Sequence, residues 1–572
     1  MDQQGVVGLF LALFIGVAYV FEMRLDKVYQ EGIKRDKELS IIKIRNKDLE
    51  AKVQLLKDEG DLEGIILLLV KRRNEDLEAK IHMLEGNVGD ITSLQTPTDN
   101  EQNYYKGEDI PNALNEACKN VKLETCEYLI QIYPELLLSV DNDGGNTALY
   151  AAHRGNVKIL QLLADNKVDV KHKDNNGWNI LHTACRNSHL EMSRYIIQTY
   201  PDLLHSVDND EWNAALHAAR GGNVNILKLL ADNEVDVKHK SKTGWNILSV
   251  AGIYANFEMS RYIIQTYPDL LHSADNDGWN AALHAARGGN VKILQLLADN
   301  EVDVKHINKY SWNILHVACR QSNVEMSRYI IQTYPDLLHT VNNAGWNAAL
   351  HTARGGNVKI LQILADNEVD VKHKDNDGWN ILHVAFLKSN LKMSCYIIQT
   401  YPDLFHSVDN DGWNAALHAA RGGNVRILQL LAYNKVDVKH INKYSWNILH
   451  VACRHSNLKM SRYIIQRYPD LLHSVDNDGW NTALHAARGG NVKILQLLVD
   501  KKVDVKHKNK YGRNILHVVC KHSNLEMSRY IIQKYPDLLH SKDYNGQNAA
   551  FFAVQGGNAK ILQLLTDNGV KT

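Results

Sequence analysis

The sequence predicts an all-α protein, an α-solenoid over residues 108–572 that is preceded by a single transmembrane helix and a coiled-coil helix. Ten tryptophans recur at alternating gaps of 34 and 33 residues, and such a period is typical of stacked structural units. Each unit contains two short segments whose apolar residues recur at helical spacing. An uncharged N-terminal segment and a run of heptads come before the array.

Residues 1–21 are predicted to form a membrane anchor. Residues 5–21 carry no charged side chain, and as a helix they would span about 25 Å, the short end of what a bilayer requires. Asp2 precedes this segment, whereas Arg24 and Lys27 follow it. By the positive-inside rule, we expect a single-pass protein whose remaining residues lie in the cytosol.

A cleaved signal peptide is the alternative, with Gly16-Val17-Ala18 as the cleavage site. Three observations weigh against it. The segment lacks a basic start, the number of cysteines is odd at seven, and no Asn-x-Ser/Thr acceptor is present. Under this alternative the protein would be a secreted or lumenal adhesive or effector.

Residues 22–91 are predicted to form a coiled-coil stalk. Residues 45–52 recur nearly unchanged at 73–80, which is an offset of four heptads. The stalk would form a homodimer or homotrimer, and the alternative is a solvated single helix with many charges. The predicted oligomerisation residues comprise two asparagines at core positions and six apolar heptad residues: Asn46, Leu49, Val53, Leu56, Asn74, Leu77, Ile81 and Leu84. Residues 92–107 are polar and are predicted to be a linker.

The repeated units carry a recognisable opening. Residues 278–286 read Gly-Trp-Asn-Ala-Ala-Leu-His-Ala-Ala, and residues 177–185 read Gly-Trp-Asn-Ile-Leu-His-Thr-Ala-Cys. Both resemble the Gly-x-Thr-Pro-Leu-His-x-Ala-Ala opening of the ankyrin repeat. In this chain Asn replaces the Thr and Ala or Ile replaces the Pro, but Asn is an equally good helix N-cap. The resemblance implies a β-turn and two antiparallel helices per unit.

The array is predicted to hold about fourteen units, arranged as seven long–short pairs of about 67 residues. The pairs begin near residues 110, 177, 244, 311, 378, 445 and 512. In a short unit, Asn213 is expected to cap the first helix, Gly221-Gly222 to end it and Asn223 to cap the second. In a long unit, Ser188 and Glu191 are expected to form a capping box, and Pro201 to end the second helix.

The tryptophans are the candidate protein-binding residues. The resemblance places them on the concave face of the array, where aromatic side chains could anchor a partner protein. The alternative is that each indole only packs against the next unit. The ten residues are Trp178, Trp212, Trp245, Trp279, Trp312, Trp346, Trp379, Trp413, Trp446 and Trp480.

Histidines and cysteines recur in fixed repeat positions and are predicted to be structural. In the family, the histidine of the Leu-His pair, here His182, His217 and their equivalents, hydrogen-bonds neighbouring loops. No cysteine or carboxylate accompanies these histidines at zinc-ligand spacing, so we predict no metal site. Cys185, Cys319, Cys453 and Cys520 share one position and are expected to be buried.

The chain contains 65 basic and 65 acidic side chains, and this balance favours neither nucleic acid nor an acidic partner. No phosphate-binding loop, nucleophile elbow or metalloprotease motif occurs, so we expect neither an enzyme nor a cofactor. The sequence thus predicts a membrane-tethered scaffold that binds cytosolic proteins. An elastic tether without a specific ligand is a further alternative.

Overall fold

The computed structural model describes residues 113–522 and 524–571. The predicted anchor (residues 1–21), stalk (residues 22–91) and linker (residues 92–107) lie outside these residues. No helix within the described part combines the length and apolar character needed to cross a bilayer.

The described residues form fourteen successive helical hairpins, and their extended pairings are isolated bridges such as Val140–Asn146. The first helices of the hairpins are α1 Ala113–Lys119, α3 Thr147–Arg154, α5 Ile180–Arg186, α7 Ala214–Gly221, α9 Ile247–Ile253, α11 Ala281–Gly288, α13 Ile314–Arg320, α15 Ala348–Gly355, α17 Ile381–Leu387, α19 Ala415–Gly422, α21 Ile448–Arg454, α23 Thr482–Gly489, α25 Ile515–Lys521 and α27 Ala549–Gln555.

The second helices alternate between ten residues in long units and nine in short units. They are α2 Leu123–Ile132, α4 Val157–Asp165, α6 Leu190–Thr199, α8 Val224–Asp232, α10 Phe257–Thr266, α12 Val291–Asp299, α14 Val324–Thr333, α16 Val358–Asp366, α18 Leu391–Thr400, α20 Val425–Tyr433, α22 Leu458–Arg467, α24 Val492–Asp500, α26 Leu525–Lys534 and α28 Ala559–Asp567. A short 3-10 segment follows each long second helix: Pro134–Leu138, Pro201–Leu203, Pro268–Leu270, Pro335–Leu337, Pro402–His406, Pro469–Leu471 and Pro536–Leu538.

Asparagine caps fix the start of the helices in the short units. The Oδ1 atom of Asn213 accepts a hydrogen bond from the backbone N–H of Leu216 at 3.1 Å. Its Nδ2 group donates to the carbonyl of Asp236 at 2.7 Å, which ties the cap to the turn behind the second helix. Asn223 caps α8, and Gly222 ends α7 with a φ of +87°, as its lack of a Cβ allows. These parts of the local prediction are confirmed.

The predicted capping box of Ser188 and Glu191 is wrong. Helix α6 begins at Leu190 after His189, without a side-chain cap. Ser188 instead takes a left-handed conformation with a φ of +63°. Its hydroxyl donates to the carbonyl of Gly221 in the following unit at 2.7 Å, so it joins two units and does not start a helix. Pro201 does follow the end of α6, as predicted.

Stacking of neighbouring hairpins creates the core. The alanines of α7 are fully buried, and so are Ile226, Leu227 and Leu230 on the inner face of α8. A Cβ added at Gly221 would lie 2.5 Å from the carbonyl oxygen of Cys185, which shows how closely the first helices approach.

Cys185 is fully buried, and burial raises the pKa of its thiol to about 12. The prediction of buried core cysteines is confirmed for Cys185, Cys319, Cys453 and Cys520.

Candidate functional site

Each tryptophan is presented by a tight turn just before a first helix. In the turn before α11, the Oδ1 atom of Asp275 accepts hydrogen bonds from the backbone N–H groups of Asp277 at 3.0 Å and Trp279 at 2.8 Å. Gly278 has a φ of +79° and closes the turn. Trp279 is therefore fixed one residue ahead of the capping Asn280.

Neighbouring turns are hydrogen-bonded to one another. The backbone N–H of Asn276 donates to the carbonyl of Thr243 at 3.0 Å, and its side chain donates to the carbonyl of Lys242 at 2.9 Å. The backbone N–H of Lys309 continues the series by donating to the backbone carbonyl of Asp277 at 3.1 Å. These bonds set the spacing of the tryptophans from unit to unit.

The tryptophan rings combine both of the interpretations that the sequence left open. Trp212 is 9% exposed and the other nine are half-buried. Two indoles pack on each short-unit histidine, as when Trp245 and Trp279 lie 5.6 and 5.5 Å from His284 between ring centroids. The ring bodies thus join units, while the exposed edges stay available to a partner. Binding by these edges remains a prediction.

A buried carboxylate orients most of these short-unit histidines. The Nε2 atom of His217 donates to Oδ2 of Asp208 at 3.0 Å, and His485 donates to Asp476 at 3.1 Å. Burial lowers the pKa of His217, outweighing the opposite influence of Asp208. Burial alone would raise the pKa of Asp208, but the hydrogen bonds that it accepts lower it. The pair is therefore a neutral imidazole donating to an ionised carboxylate.

The long-unit histidines bond to neighbouring loops, as the resemblance implied. His182 interacts through Nε2 with the carbonyl of Ser206 at 3.0 Å and accepts at Nδ1 from the backbone N–H of Asn179. Burial lowers the pKa of His182 to about 3. Across residues 113–522 and 524–571, histidines, cysteines and carboxylates form no group of three or more that could hold a metal ion.

A row of arginines beside the tryptophans was missed by the sequence reasoning. Each occupies the seventh position after the asparagine that caps a first helix, as Arg186 does after Asn179. Six are half-buried, and Arg287 and Arg488 are exposed. The row comprises Arg186, Arg220, Arg287, Arg320, Arg354, Arg421, Arg454 and Arg488.

Seven of the eight guanidinium groups of this row lie over aromatic rings. The Cζ atoms of Arg186, Arg454 and Arg320 are 4.2, 4.4 and 4.9 Å from the ring centroids of Trp178, Trp446 and Trp312, within cation–π range. Burial, followed by the charge of Arg220, lowers the pKa of Arg186 to about 10. We call the surface formed by the ten tryptophans and these eight arginines the tryptophan–arginine face.

The arginine row could have been found from its period. Arginine recurs in the last turn of the first helix at gaps of 33, 34 or 67 residues, in step with the tryptophans and missing from two of their ten units. The balanced total charge concealed it, because a neutral chain can still place one sign of charge along one surface. The predicted oligomerisation residues, from Asn46 to Leu84, lie outside the described residues.

Known proteins resemble this chain over 39–73% of its length. The human Transient receptor potential cation channel subfamily A member 1 is 22% identical over 446 residues, covering 73% of this chain and 39% of that protein. Human Rabankyrin-5 is 22% identical over 317 residues, covering 52% and 26% of the two chains. The Nuclear factor NF-kappa-B p105 subunit of Gallus gallus is 20% identical over 231 residues, covering 39% and 23%. The chain thus spans well under half the length of each of these relatives.

The family model described as Ankyrin repeats (3 copies) matches seven overlapping or adjoining segments. These are residues 91–174, 114–206, 201–272, 267–340, 334–406, 401–474 and 483–572. The match extends over more than half of the chain and agrees with the stacked helical hairpins, so the chain belongs to the ankyrin repeat family.

Proposed function

We propose that this protein is a non-catalytic scaffold that binds an extended segment of a cytosolic partner protein along its tryptophan–arginine face. Ankyrin repeats are protein-interaction modules, and the family match supports that general class. We propose in addition that the tryptophan–arginine face is the surface used and that its charge selects the partner segment.

One observation carries this proposal. Indoles recur at a fixed period along one surface, and guanidiniums accompany them in eight of the ten units, most of both groups being half-buried. Tryptophan and arginine are the residue types most enriched at the energetic centres of protein interfaces. Their rigid placement by packing and hydrogen bonds lowers the entropy that binding would cost.

The charge of the face indicates what kind of segment it would select. Burial is the largest cause of the lowered pKa values of Arg186, Arg320 and Arg454, and repulsion from a neighbouring arginine of the row lowers each further. An acidic segment would relieve this repulsion, so we expect a partner with Asp or Glu residues spaced along an extended stretch.

Exchange of arginines tests the use of this face. Arg186→Gln, Arg320→Gln and Arg454→Gln together would remove three charges from the face. The matched control is Arg194→Gln, Arg328→Gln and Arg462→Gln, which removes the same charge from exposed positions on the second helices of the same units. Proximity labelling in the native cell would identify partners, and affinity would then be measured for each variant. We expect binding to weaken about tenfold or more in the first variant only. Loss in the control variant alone would place the binding surface elsewhere.

We further propose that residues 1–21 tether the scaffold to a membrane and that residues 22–91 join two or three copies. Clustered arrays would bind multivalent partners with avidity, even where each site binds weakly. Membrane fractionation of the full chain and of residues 92–572 tests the tether, and mass spectrometry of the mature N-terminus separates an anchor from a cleaved signal peptide. A mature chain that starts near Tyr19 would contradict the tether and favour the secreted alternative.

A further inference from the structure

Two grooves of the tryptophan–arginine face are built from nearly the same sequence. Residues 302–320 are identical to residues 436–454. One groove lies between Trp312 and Trp346, and the other lies between Trp446 and Trp480; we call them the 312–346 groove and the 446–480 groove. Each contains two arginines of the row, so the pair forms an internal comparison.

Two exchanges in the second turn distinguish the grooves. Asn342 and Ala344 of the 312–346 groove stand where the 446–480 groove has Asp476 and Asp478. The first position is buried in both grooves, at 7% exposure for Asn342 and 6% for Asp476. The 312–346 groove has therefore lost one buried and one exposed carboxylate.

In the 446–480 groove, Asp476 satisfies several donors at once. Its Oδ2 atom accepts from the indole N–H of Trp446 at 2.9 Å and from Nε2 of His485 at 3.1 Å. Its Oδ1 atom accepts from the backbone N–H groups of Asp478 and Trp480. Burial, followed by the charge of Arg488, lowers the pKa of Arg454 to about 10. The charge of Asp476 acts in the opposite direction and partly offsets this lowering.

In the 312–346 groove these donors are not satisfied in the same way. The Oδ1 atom of Asn342 is used by the backbone N–H groups of Ala344 and Trp346, so its Nδ2 group faces Nε2 of His351 at 3.3 Å. His351 must then accept at Nε2 and carry its proton on Nδ1, so a buried N–H has no acceptor in the described part of the chain. The Nδ1 atom of His485 has no partner either, but it carries no proton because His485 donates from Nε2. The indole N–H of Trp312 likewise has no acceptor among the described residues.

No carboxylate offsets the effect of burial on the pKa of Arg320, whereas Asp476 does so for Arg454. Burial lowers the pKa of Arg320, and the positive charge of Arg354 lowers it further. Arg354 is also the chief cause of the lowered pKa of Lys388, on the next unit. Three cationic side chains therefore repel one another at this place on the face.

A cavity of about 550 Å³ opens at the same place. The cavity extends toward Trp279, and its lining includes Arg320, Arg354, His351 and one carboxylate, that of Asp277. The cavity of the unit pair that follows is about 230 Å³ and is lined by three carboxylates, those of Asp377, Asp409 and Asp411. The 312–346 groove is thus larger and more positive than its neighbour.

We propose that the 312–346 groove is the specificity site of the array and binds an Asp or Glu side chain of the partner segment. The incoming carboxylate replaces the charge that Asp476 and Asp478 supply in the 446–480 groove, pairing with Arg320 and Arg354. It also offers an acceptor to the indole N–H of Trp312. This inference rests on the proposed function, since it assigns one position of the bound segment.

Peptide selection on the full chain tests the inference. A display library of short random peptides, linked through their C-termini so that only side chains offer carboxylates, would be selected on the wild-type protein. The selected peptides would then be measured against Asn342→Asp/Ala344→Asp, which rebuilds the sequence already present in the 446–480 groove and should fold. The matched variant is Asp476→Asn/Asp478→Ala, which opens the other groove.

We expect the selected peptides to share an Asp or Glu and to bind Asn342→Asp/Ala344→Asp at least about tenfold more weakly than wild type. Asp476→Asn/Asp478→Ala should keep or increase binding, and changing the shared acid to Asn or Gln in the peptide should abolish the difference between variants. Selected peptides that lack an acid, or that bind the rebuilt groove as tightly as wild type, would overturn the inference.

The same selection separates this inference from the proposed function. Peptides that lose binding in the triple Arg→Gln variant but not in Asn342→Asp/Ala344→Asp would support the face and refute the specificity site. If no selected peptide depends on either set of residues, both proposals fail.

Discussion

The 312–346 and 446–480 grooves share their first turn and first helix, with residues 302–320 repeated at 436–454, yet differ in how their polar groups are satisfied. In the 446–480 groove, the carboxylate of Asp476 joins Trp446 and His485. In the 312–346 groove, Asn342 donates to Nε2 of His351, so the proton of His351 lies on Nδ1, where it has no acceptor in the described part of the chain. Nδ1 of His485 is also unpaired, but as an acceptor. Exchange of one buried carboxylate for an amide therefore opens the network by leaving a buried N–H without an acceptor, without changing the fold.

The comparison also shows that single residues which depart from the repeat can give one groove properties that the other grooves lack. Positions that repeat throughout, such as the tryptophans and the capping asparagines, build the array. Positions that depart from the repeat, such as Asn342 and Ala344, give one groove its own charge and hydrogen bonds. In a solenoid, where each unit contacts mainly its neighbours, such a departure has local effects.

The largest difference is expected when the central histidine of each groove is removed. His485→Ala leaves the buried carboxylate of Asp476 without one of its two side-chain donors and should destabilise its units by about 3–5 kcal/mol. His351→Ala removes a ring that is paired with the neutral amide of Asn342, so it leaves no buried charge unpaired and should cost about 2–3 kcal/mol. Hydrogen exchange of the amides in α23 and α15 measures the two effects separately. Equal losses of protection would contradict the different roles of Asp476 and Asn342.

Acidification should weaken both grooves, and the 446–480 groove more, because His455, whose pKa burial lowers to about 4, ends α21 where Gln321 ends α13. Burial lowers the pKa of His316 to about 4 and that of His450 to about 3 in the folded protein, against about 6.5 when unfolded. The unfolded chain therefore binds more protons between these values, so stability is present above about pH 6.5 and falls as the pH drops toward 3–4. At pH 5 the expected loss is about 2 kcal/mol for each such histidine.

Hydrogen exchange in α13 and α21 at pH 7 and pH 5 checks this prediction. His450→Leu serves as a control, since it should reduce the pH dependence in α21 and leave that of α13 unchanged. Protection that does not change between the two pH values would contradict burial of these histidines in the neutral form.

Smaller effects on stability, opposite in sign to each other, are expected when the residue at position 342 is replaced by its counterpart at position 476 and the reverse. Asn342→Asp should stabilise its units by about 1 kcal/mol, because the carboxylate can accept from both His351 and Trp312. Asp476→Asn should destabilise its units by about 1–2 kcal/mol for the converse reason.

The pH dependence of this exchange has a definite sign. Burial would raise the pKa of Asp476, but hydrogen bonds, first from His485, lower it overall. An Asp at position 342 should behave alike, so its stabilisation should be present above about pH 4 and be lost as the pH falls further. Local exchange of α15 and α23 again provides the measurement, and a destabilising Asn342→Asp would show that the open network is not the weaker one.

The smallest effect is expected from the ion pairs that both regions share on their surface. Lys305 contacts Asp336 and Lys439 contacts Asp470, each at 2.8 Å between Nζ and Oδ2, and all four side chains are more than half exposed. Solvent screening makes such pairs weak. Lys305→Ala and Lys439→Ala should each change the melting temperature by no more than about 1 °C. A larger shift in melting temperature for one variant would contradict the equivalence of these two ion pairs.

Much of the fold could be predicted because its causes are local in sequence. The tryptophan period gave the stacked hairpins, and Asn213 and Asn223 were identified as caps because N-cap preference depends on a few neighbouring atoms. Ser188 was misassigned because its partner, the carbonyl of Gly221, belongs to the following unit. Sequence spacing within one unit contains no information about that contact.

The candidate site was predicted in part for the same reason. Its tryptophans stand out by their rarity, whereas the arginines were hidden among 65 basic side chains. The role of Asn342 depends on its surroundings, Trp312 and His351, which belong to different units and come together only when the units stack. The predicted heptad residues, from Asn46 to Leu84, stay predictions.

The central claim, that a partner binds in the 312–346 groove of the tryptophan–arginine face, is tested most directly by hydrogen exchange of the full chain with and without a selected peptide. We expect added protection in the turns at residues 306–312 and 340–346, and less change at residues 440–446 and 474–480. Protection confined to the second helices, such as α14 and α22, with the turns unchanged, would contradict the account.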